Sequence, residues 1–343
     1  MRDAARRVLE TLRMPNGLYL ASTSDAYHYV WIRDVCYTSL AFLPLEEQAQ
    51  SDNSQSSHGR YEQTYHSMLD IFDQHRWKLD YHAEHRPQET YEYIHPRYRV
   101  ESLAEVEEPW GNAQNDAIGA FLYGIGAGLK RGKPMLRHDA DRDVIRKLIR
   151  YLTTLAYWQD ADNGMWEENR EVHASSIGAC TAGLFAVQPW FPVDWTVIQQ
   201  GLTSLFALLP RESALKDCDL AQLSLVYPYK LLPRDLAFSV VEQVEKELLR
   251  ERGVLRYKGD QYYLQEDHEA EWCLGLPWLG LCWLSLGDRS RALSYLSKTE
   301  HAMTSPGVLP ELYYGTTDQP NPQTPLAWAV SMYIQLFDAL ARG

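Results

Sequence analysis

Two acidic stretches carry the residues most able to do chemistry: Trp166-Glu167-Glu168 within NGMWEENREVHASS, and Glu311 within GVLPELYYG. Both are set among aromatic and turn-forming residues. Carboxylates in such company suit glycoside hydrolysis, in which one carboxylic acid protonates a glycosidic oxygen while a second carboxylate activates water. Aromatic rings stack on the apolar faces of sugars, and by desolvation they raise the pKa of a nearby acid. Alone, each triplet is a weak signal, because glutamate is abundant on helix ends and in loops.

The elements that must position these groups read as helices. In Val144 to Trp158, the residues Ile145, Leu148, Ile149, Leu152 and Ala156 recur on one face, and Val240, Val241, Val244 and Leu248 repeat the pattern. Further helices are expected from about Trp31 to Leu43, Asp116 to Leu129, Ser175 to Val187, Trp195 to Leu209 and Leu326 to Leu340, with another at the charged N-terminus, MRDAARRVLETLR. Convincing alternating strands are scarce, so the fold is mainly α. Between helices, loops are expected over Leu79 to Asn112, Gln159 to Glu171, Val254 to Glu271 and Thr304 to Pro325. Loops of that length in a compact domain are usually functional.

With 343 residues, 45% of them hydrophobic and 23% charged, the chain can build a sizeable core. No Pro/Gly/Ser-rich linker divides it. The polar stretch from Gln48 to Arg60 reads as a surface loop, and residues 1–343 as a single domain. A formal charge of -13 argues against nucleic acid or an anionic membrane as partner and favours a neutral substrate. Five cysteines without CxxC or Cys/His spacing fit buried small side chains in a reducing compartment. The N-terminus lacks the apolar core of a secretory signal. The most hydrophobic run, Leu274 to Leu286, reads as a buried core helix, shorter than the ~20 residues that span a bilayer, and a cytoplasmic location is expected.

Four segments, taken in order, resemble the glucoamylase-like inverting glucosidases of glycoside hydrolase family 15 and the related N-terminal domain of phosphorylase kinase α and β subunits. They are YVWIRD (Tyr29 to Asp34), WGNAQND (Trp110 to Asp116), WEE with HASSIG (His173 to Gly178), and PELYY leading on to PLAW (Pro325 to Trp328). GVLRYKGDQYY and EAEWCLGLPW resemble the phosphorylase kinase side of the family. Together the matches run from about residue 8 to 336. The resemblance implies an all-α (α/α)6 toroid, twelve helices in two concentric rings, with the site in a funnel of connecting loops.

It also implies roles. Glu167, directly after Trp166, corresponds to the general acid and Glu311 to the general base. They lie 144 residues apart (311 minus 167), so only a closed fold can set them across one bond, and inversion requires a separation of roughly 6.5 to 9.5 Å. Glu168 is expected to bind a sugar hydroxyl and, with the indole, to push the Glu167 pKa upward. Arg33 and Asp34 are expected to bind hydroxyls of the non-reducing glucose, restricting attack to chain ends. Tyr29, Trp31, Trp110, Asp116 and Trp166 complete the substrate-binding set.

Plainer readings stand beside these. Arg33 and Asp34 also fit a structural ion pair at a helix start, with Asp34 favoured by the helix dipole. Glu168 fits a solvated loop carboxylate, and Trp31 a core residue. Trp272 and Trp278 fit the rim and an inner helix. His28, His82, His85, His95, His173 and His268 form no spaced metal triad and suit exposed or capping positions. Neither a metal nor a cofactor is expected, and the motifs of nucleotide, zinc and serine chemistry are absent.

The function expected is therefore inverting, exo-acting hydrolysis releasing β-glucose from short α-gluco-oligosaccharides, α-1,4 or α-1,6 linked. A different class competes: a catalytically silent, phosphorylase-kinase-like glucan-sensing or regulatory module. The chain ends directly after its last helix, which favours a free-standing enzyme, and it has no room for a polymer-anchoring module, which favours short substrates. An epimerase or uronyl hydrolase would call for catalytic histidines or more basic residues. Linkage specificity and oligomeric state are not legible.

Overall fold

The computed structural model describes residues 1–43 and 59–342. Residues 48–58 of the expected surface loop lie outside that range, and its last residue, Arg60, opens a helix. Among the described residues there are twelve α-helices: α1 (Arg2–Thr11), α2 (Ile32–Ser39), α3 (Arg60–Gln74), α4 (Arg76–His82), α5 (Asn115–Lys130), α6 (Asp139–Leu155), α7 (Ala174–Val187), α8 (Trp195–Leu208), α9 (Arg234–Leu248), α10 (Gly275–Ser285), α11 (Arg289–His301) and α12 (Ala327–Arg342). Four short strands, β1 (Tyr29–Trp31), β2 (Arg97–Arg99), β3 (Glu271–Trp272) and β4 (Leu312–Tyr313), form two antiparallel pairs. No helix among the described residues is long and apolar enough to cross a membrane.

Helices α3, α4 and α11 are additions to the expected set, and α4 runs four residues into the stretch expected as loop from Leu79. That loop also contains β2. Helix α6 starts earlier than its apolar period suggests. Asp141 lies in its first turn, where the N-terminal end of the helix dipole favours an anion, and the His138 side chain caps the Asp141 amide. It stops at Leu155 because Ala156 turns left-handed, φ 56°.

The chain divides into two compact units. One comprises Met14–Leu18 and Tyr29–Leu209; the other comprises Met1–Arg13, Tyr19–His28 and Pro210–Gly343. In the first unit, α5 and α7 pack with their backbones almost touching. A Cβ on Gly119 would come 2.3 Å from the Ala179 carbonyl carbon, and one on Gly126 would come 2.4 Å from the Ala186 carbonyl oxygen. Only glycine permits that approach. It locks together the helix that begins with Asn115-Asp116 and the helix that follows Trp166-Glu167-Glu168.

In the same unit β1 pairs with β2, Tyr29 opposite Arg99 and Trp31 opposite Arg97, so the segment entering α2 is tied to a distant loop. In the other unit the apolar α10 lies against α11 and α12, and Trp278 and Trp283 are fully buried. Helix α1 is held to α12 by hydrogen bonds from Arg2 (3.1 Å) and Arg6 (3.0 Å) to Asp338. The β3–β4 pair sets Trp272 opposite Leu312, immediately after Glu311. Four of the five cysteines are buried and Cys218 is partly exposed; all are free thiols.

Candidate active site

Around Arg33, the first unit gathers five residues that the sequence singled out. Arg33 lies in the first turn of α2 with 4% of its side chain exposed. Nη1 donates to Gln114 Oε1 (3.0 Å) and to both oxygens of Asp116 (3.3 and 3.2 Å), and Nη2 donates to Glu167 Oε1 (3.0 Å). Asp116 sits in the first turn of α5, where the helix dipole favours an anion. Asp34 follows on α2, its nearest oxygen 3.9 Å from Arg33 Nε. One guanidinium thus faces three carboxyl groups. Burial opposes the Arg33 charge, but Asp116, Glu167 and Asp34 outweigh it and hold the group protonated well beyond its ordinary range.

The excess of carboxylate falls on Asp34. Burial, reinforced by Glu167 and Asp116 and opposed by Arg33, raises it from 3.8 to about 7. Its side chain keeps 17% of its surface exposed, so a ligand can reach it. A cluster that combines a forked donor with several acceptors matches vicinal hydroxyls, each of which both donates and accepts.

Glu167 is presented by the turn between α6 and α7. Asp162 pins that turn: it accepts from the Asn115 amide (3.0 Å), the Gly164 amide (3.1 Å) and Ser176 Oγ (3.1 Å). Asn163 adds a second tie, its amide donating to the Ala113 carbonyl (2.6 Å) and its carbonyl accepting from the Glu168 amide (2.9 Å). Glu167 itself adopts a left-handed backbone, φ 64°. A residue with a Cβ pays about 1 kcal/mol or more for this, and such strain persists only where surrounding contacts over-determine it. Gly111 permits the close fit, since a Cβ there would lie 2.8 Å from the Glu167 carbonyl oxygen. The neighbouring Trp110 donates its indole N–H to Glu167 Oε2.

Arg97, which the sequence reading missed, stiffens this wall. It is 4% exposed, and its guanidinium lies over the rings of Trp110 (4.7 Å), Tyr29 (5.6 Å) and Trp31 (5.7 Å). Such cation–π contacts strengthen when desolvated. Trp31 is buried, 8% exposed, so the core reading holds for most of its surface, whereas Trp110 is 41% exposed. Tyr29 is half-buried and donates to Glu108 (3.5 Å); Trp166 and Glu168 are half-buried as well.

The other unit builds a second carboxylate site. Glu311 is 4% exposed. Its Oε1 accepts from the Tyr27 hydroxyl (2.8 Å) and its Oε2 from the Asn321 amide. Its backbone is fixed on both sides: the Glu311 amide donates to the Gln323 carbonyl (3.2 Å), and its carbonyl accepts from Cys273 (2.9 Å). Burial, then Glu311, pushes the Tyr27 hydroxyl far above its ordinary pKa, so it remains a donor. Burial and Glu311 likewise raise Tyr262 and Tyr263. The buried Arg256–Asp260 ion pair (2.6 Å) stands in the same unit, its guanidinium over Trp272 (4.7 Å) and Tyr262 (5.0 Å). Trp272, expected at a rim, is 4% exposed; Trp278 is interior as expected.

Tyr27 and Asn321 were not found from the sequence. Tyr27 left a signal, the aromatic run DAYHYVWIRD; Asn321 left none. Two histidines depart from expectation, for His82 and His95 are buried at 4% and 3% exposure; His173, 4% exposed, stands at the N-cap position of α7. Burial is tolerated because ring nitrogens find backbone partners: His95 Nδ1 accepts from the Arg97 amide (3.1 Å), and His82 Nδ1 meets the His85 carbonyl (2.8 Å). Among the described residues no group of three or more His, Cys, Asp or Glu could hold a metal ion.

Comparison with known proteins bears on these arrangements. Over 299 residues the chain is 27% identical to the probable phosphorylase b kinase regulatory subunit alpha of Caenorhabditis elegans, a match covering 70% of this chain and 24% of that protein. Over 264 residues it is 28% identical to the isomaltose glucohydrolase of Kribbella flavida, covering 68% of this chain and 66% of that protein. The chain thus spans about a quarter of the first relative's length and about two thirds of the second's.

Among solved structures, a wild-type glycosidase superposes with a TM-score of 0.80 at 22% identity, covering 99% of this chain and 96% of that one. The glucoamylase of Saccharomycopsis fibuligera does so with a TM-score of 0.70 at 13% identity, covering 99% and 93%. This likeness shows the fold class, all-α of the (α/α)6 type, as the sequence led us to expect. Residues 5–188, which include Arg33, Asp34, Trp110, Asp116, Glu167 and Glu168, match the profile of the glycosyl hydrolases family 15, and the chain belongs to that family.

Proposed function

We propose that the protein is an inverting, exo-acting glycoside hydrolase that releases β-glucose from the non-reducing end of short α-gluco-oligosaccharides, α-1,4 or α-1,6 linked, within one catalytic domain spanning residues 1–343. The observation that carries this reading is the convergence of Arg33, Asp34, Asp116, Trp110 and Glu167 on one hydrogen-bonded cluster. It pairs a sugar-sized set of donors and acceptors with a carboxyl group able to act on the adjoining bond. The relationship to an isomaltose glucohydrolase, and to a glycosidase variant solved with glucose, supports glucose as the sugar.

In this mechanism Glu167, protonated, delivers its proton to the glycosidic oxygen as the bond to the anomeric carbon breaks. Glu311 takes a proton from the water attacking the opposite face. The leaving sugar departs as a neutral alcohol, the new hydroxyl is β, and one proton has passed from water to Glu311 for each one lost by Glu167. A sugar hydroxyl that accepts from Arg33 takes over the donor now engaged by Glu167, so binding and release of the acid are one event. Arg33 and Asp34 recognise the terminal glucose, Trp110 offers a stacking face, and Glu168 and Trp166 flank the acid.

The phosphorylase kinase relatives favour a second reading, a glucan-binding regulatory module without turnover. Following the product anomer by NMR on a panel of α-glucobioses separates the two. β-Glucose appearing first supports the proposal; an α product excludes inversion; binding without product leaves the regulatory module.

A further inference from the structure

The surface of α8 is anomalous for this chain. Between Ala174 and Leu209 the only charged residue is Asp194, although 23% of the whole chain is charged. For α7 the reason is burial, since nearly every one of its positions lies inside. Helix α8 has no such excuse. It buries Val197, Ile198, Gly201 and Leu205, leaves Leu202, Ser204 and Leu208 half-buried, and turns the rest outward.

Helices of comparable exposure elsewhere carry charge on their outer faces: Arg142, Arg146 and Arg150 on α6, Glu242 and Lys246 on α9, Arg289 and Lys298 on α11. On α8 the outward stripe is Trp195, Gln199, Leu202 and Phe206, at spacings of 4, 3 and 4, which share one helix face. Thr196, Gln200 and Thr203 flank it, all neutral. Phe185, at the end of α7, extends the stripe, its ring 6.2 Å from that of Trp195. Exposure is 56% for Phe185, 46% for Trp195 and 42% for Phe206, with Trp190 at 40% in the connecting turn. The single charge, Asp194, is already used as the cap of α8, accepting from the Thr196 amide at 2.9 Å.

Charge selects the occupant. Two copies of a chain of net charge -13 repel one another over any ordinary part of their surfaces. In a twofold dimer the same patch meets itself, so residues near the axis face their own copies, and any charge there faces its like. A neutral, aromatic helix face is what such an axis tolerates. Aromatic side chains bury ~150–250 Å² each. Four of them, each about half exposed, with Leu202 and the flanking neutral residues, supply an interface at the small end of the specific range.

We propose that α8 and the adjoining turn form a self-association surface, by which two copies of this chain pair through Trp195, Leu202, Phe206 and Phe185 in a twofold dimer. The inference does not depend on hydrolysis. Its electrostatic signature is distinctive: because the contact itself is neutral and the bodies repel, dimerisation strengthens as salt rises, the reverse of an interface held by ion pairs.

The test is sedimentation equilibrium of the full chain from about 1 to 100 µM, at low and high salt. The expected result is a concentration-dependent species of twice 39.6 kDa, favoured by salt. Gln199→Lys and Phe206→Glu each weaken it at least tenfold, while Arg146→Glu on α6 leaves it intact. Circular dichroism melts of the variants match the parent and exclude unfolding as the cause. A chain monomeric at 100 µM overturns the proposal, as does a dimer indifferent to both α8 changes. A monomer whose Trp195 and Trp190 fluorescence titrates with maltoheptaose, lost on Trp195→Ala, also overturns it and assigns the patch to glucan instead.

Discussion

Arg33 Nη2 lies 3.0 Å from Glu167 Oε1, joining residues 134 positions apart, while Nη1 of the same guanidinium holds Asp116. The pairing makes Arg33 both a binding group and a structural one. Removing one partner of a buried ion pair leaves the others uncompensated and costs about 3–5 kcal/mol. Arg33→Met is therefore expected to lower the unfolding free energy by about that amount in urea titrations, whereas Asp34→Asn, at a carboxyl already raised to about 7, costs far less.

Replacing either proposed catalytic carboxyl isolates the chemistry. Glu167→Gln and Glu311→Gln are each expected to lower kcat by about 10² to 10⁴-fold on an α-glucobiose, the usual contribution of a positioned acid or base. Substrate affinity, read by calorimetry, should hold within a few-fold. A variant retaining parental kcat would remove that residue from the mechanism.

Tyr27 bears on the base alone. Its hydroxyl donates to Glu311 at 2.8 Å, and hydrogen bonds to charged groups contribute about 1.5–3 kcal/mol. Tyr27→Phe is expected to reduce kcat about tenfold or more with little change in KM, because the ring stays and only the donor orienting Glu311 is lost. A fall in affinity with kcat intact would assign Tyr27 to substrate binding instead.

The left-handed backbone at Glu167 can be measured directly. Glu167→Ala and Glu167→Gly remove the same ion pair and the same chemistry, but glycine alone adopts φ 64° without steric cost. The glycine variant should be the more stable of the two by about 1 kcal/mol. Equal stability would mean that the turn relaxes once the side chain is gone.

His95 predicts an acid limit on stability. Burial first, then Lys78 and Arg97, lowers it from 6.5 to about 3, so the folded protein binds fewer protons at this site than the unfolded chain. Its contribution is complete above pH 6.5 and is lost as pH falls from there toward 3. By pH 4 the loss reaches about 3 kcal/mol. The stability gap between the parent and His95→Gln, measured by urea unfolding, should close by that amount between pH 7 and 4. A constant gap would refute it. Asp162, raised by burial to about 7, acts with the opposite sign: its carboxyl favours the folded state most below pH 3.8 and loses that advantage as pH rises through 7. The parent's own pH profile therefore mixes the two groups, and the comparison with His95→Gln isolates the histidine.

The helices α5, α7, α8, α10 and α12 were legible within two residues of their ends because their apolar residues recur at a helical period, a property of short stretches of chain. The candidates Arg33, Asp34, Trp110, Asp116, Glu167 and Glu311 could be named from the sequence through the family resemblance of YVWIRD, WGNAQND, WEE and PEL taken in order, not through any one of these short patterns alone. Only the tertiary structure decided that Arg33 meets Asp116 and Glu167, that Arg97 lies beneath Trp110, that Tyr27 and Asn321 hold Glu311, and that Glu167 takes a strained backbone. Each is a contact between residues from 10 to 284 positions apart, or a dihedral imposed by such contacts. Local periodicity carries no term for the partner that burial will supply, and the partner sets the charge, the orientation and the strain of every group in the site.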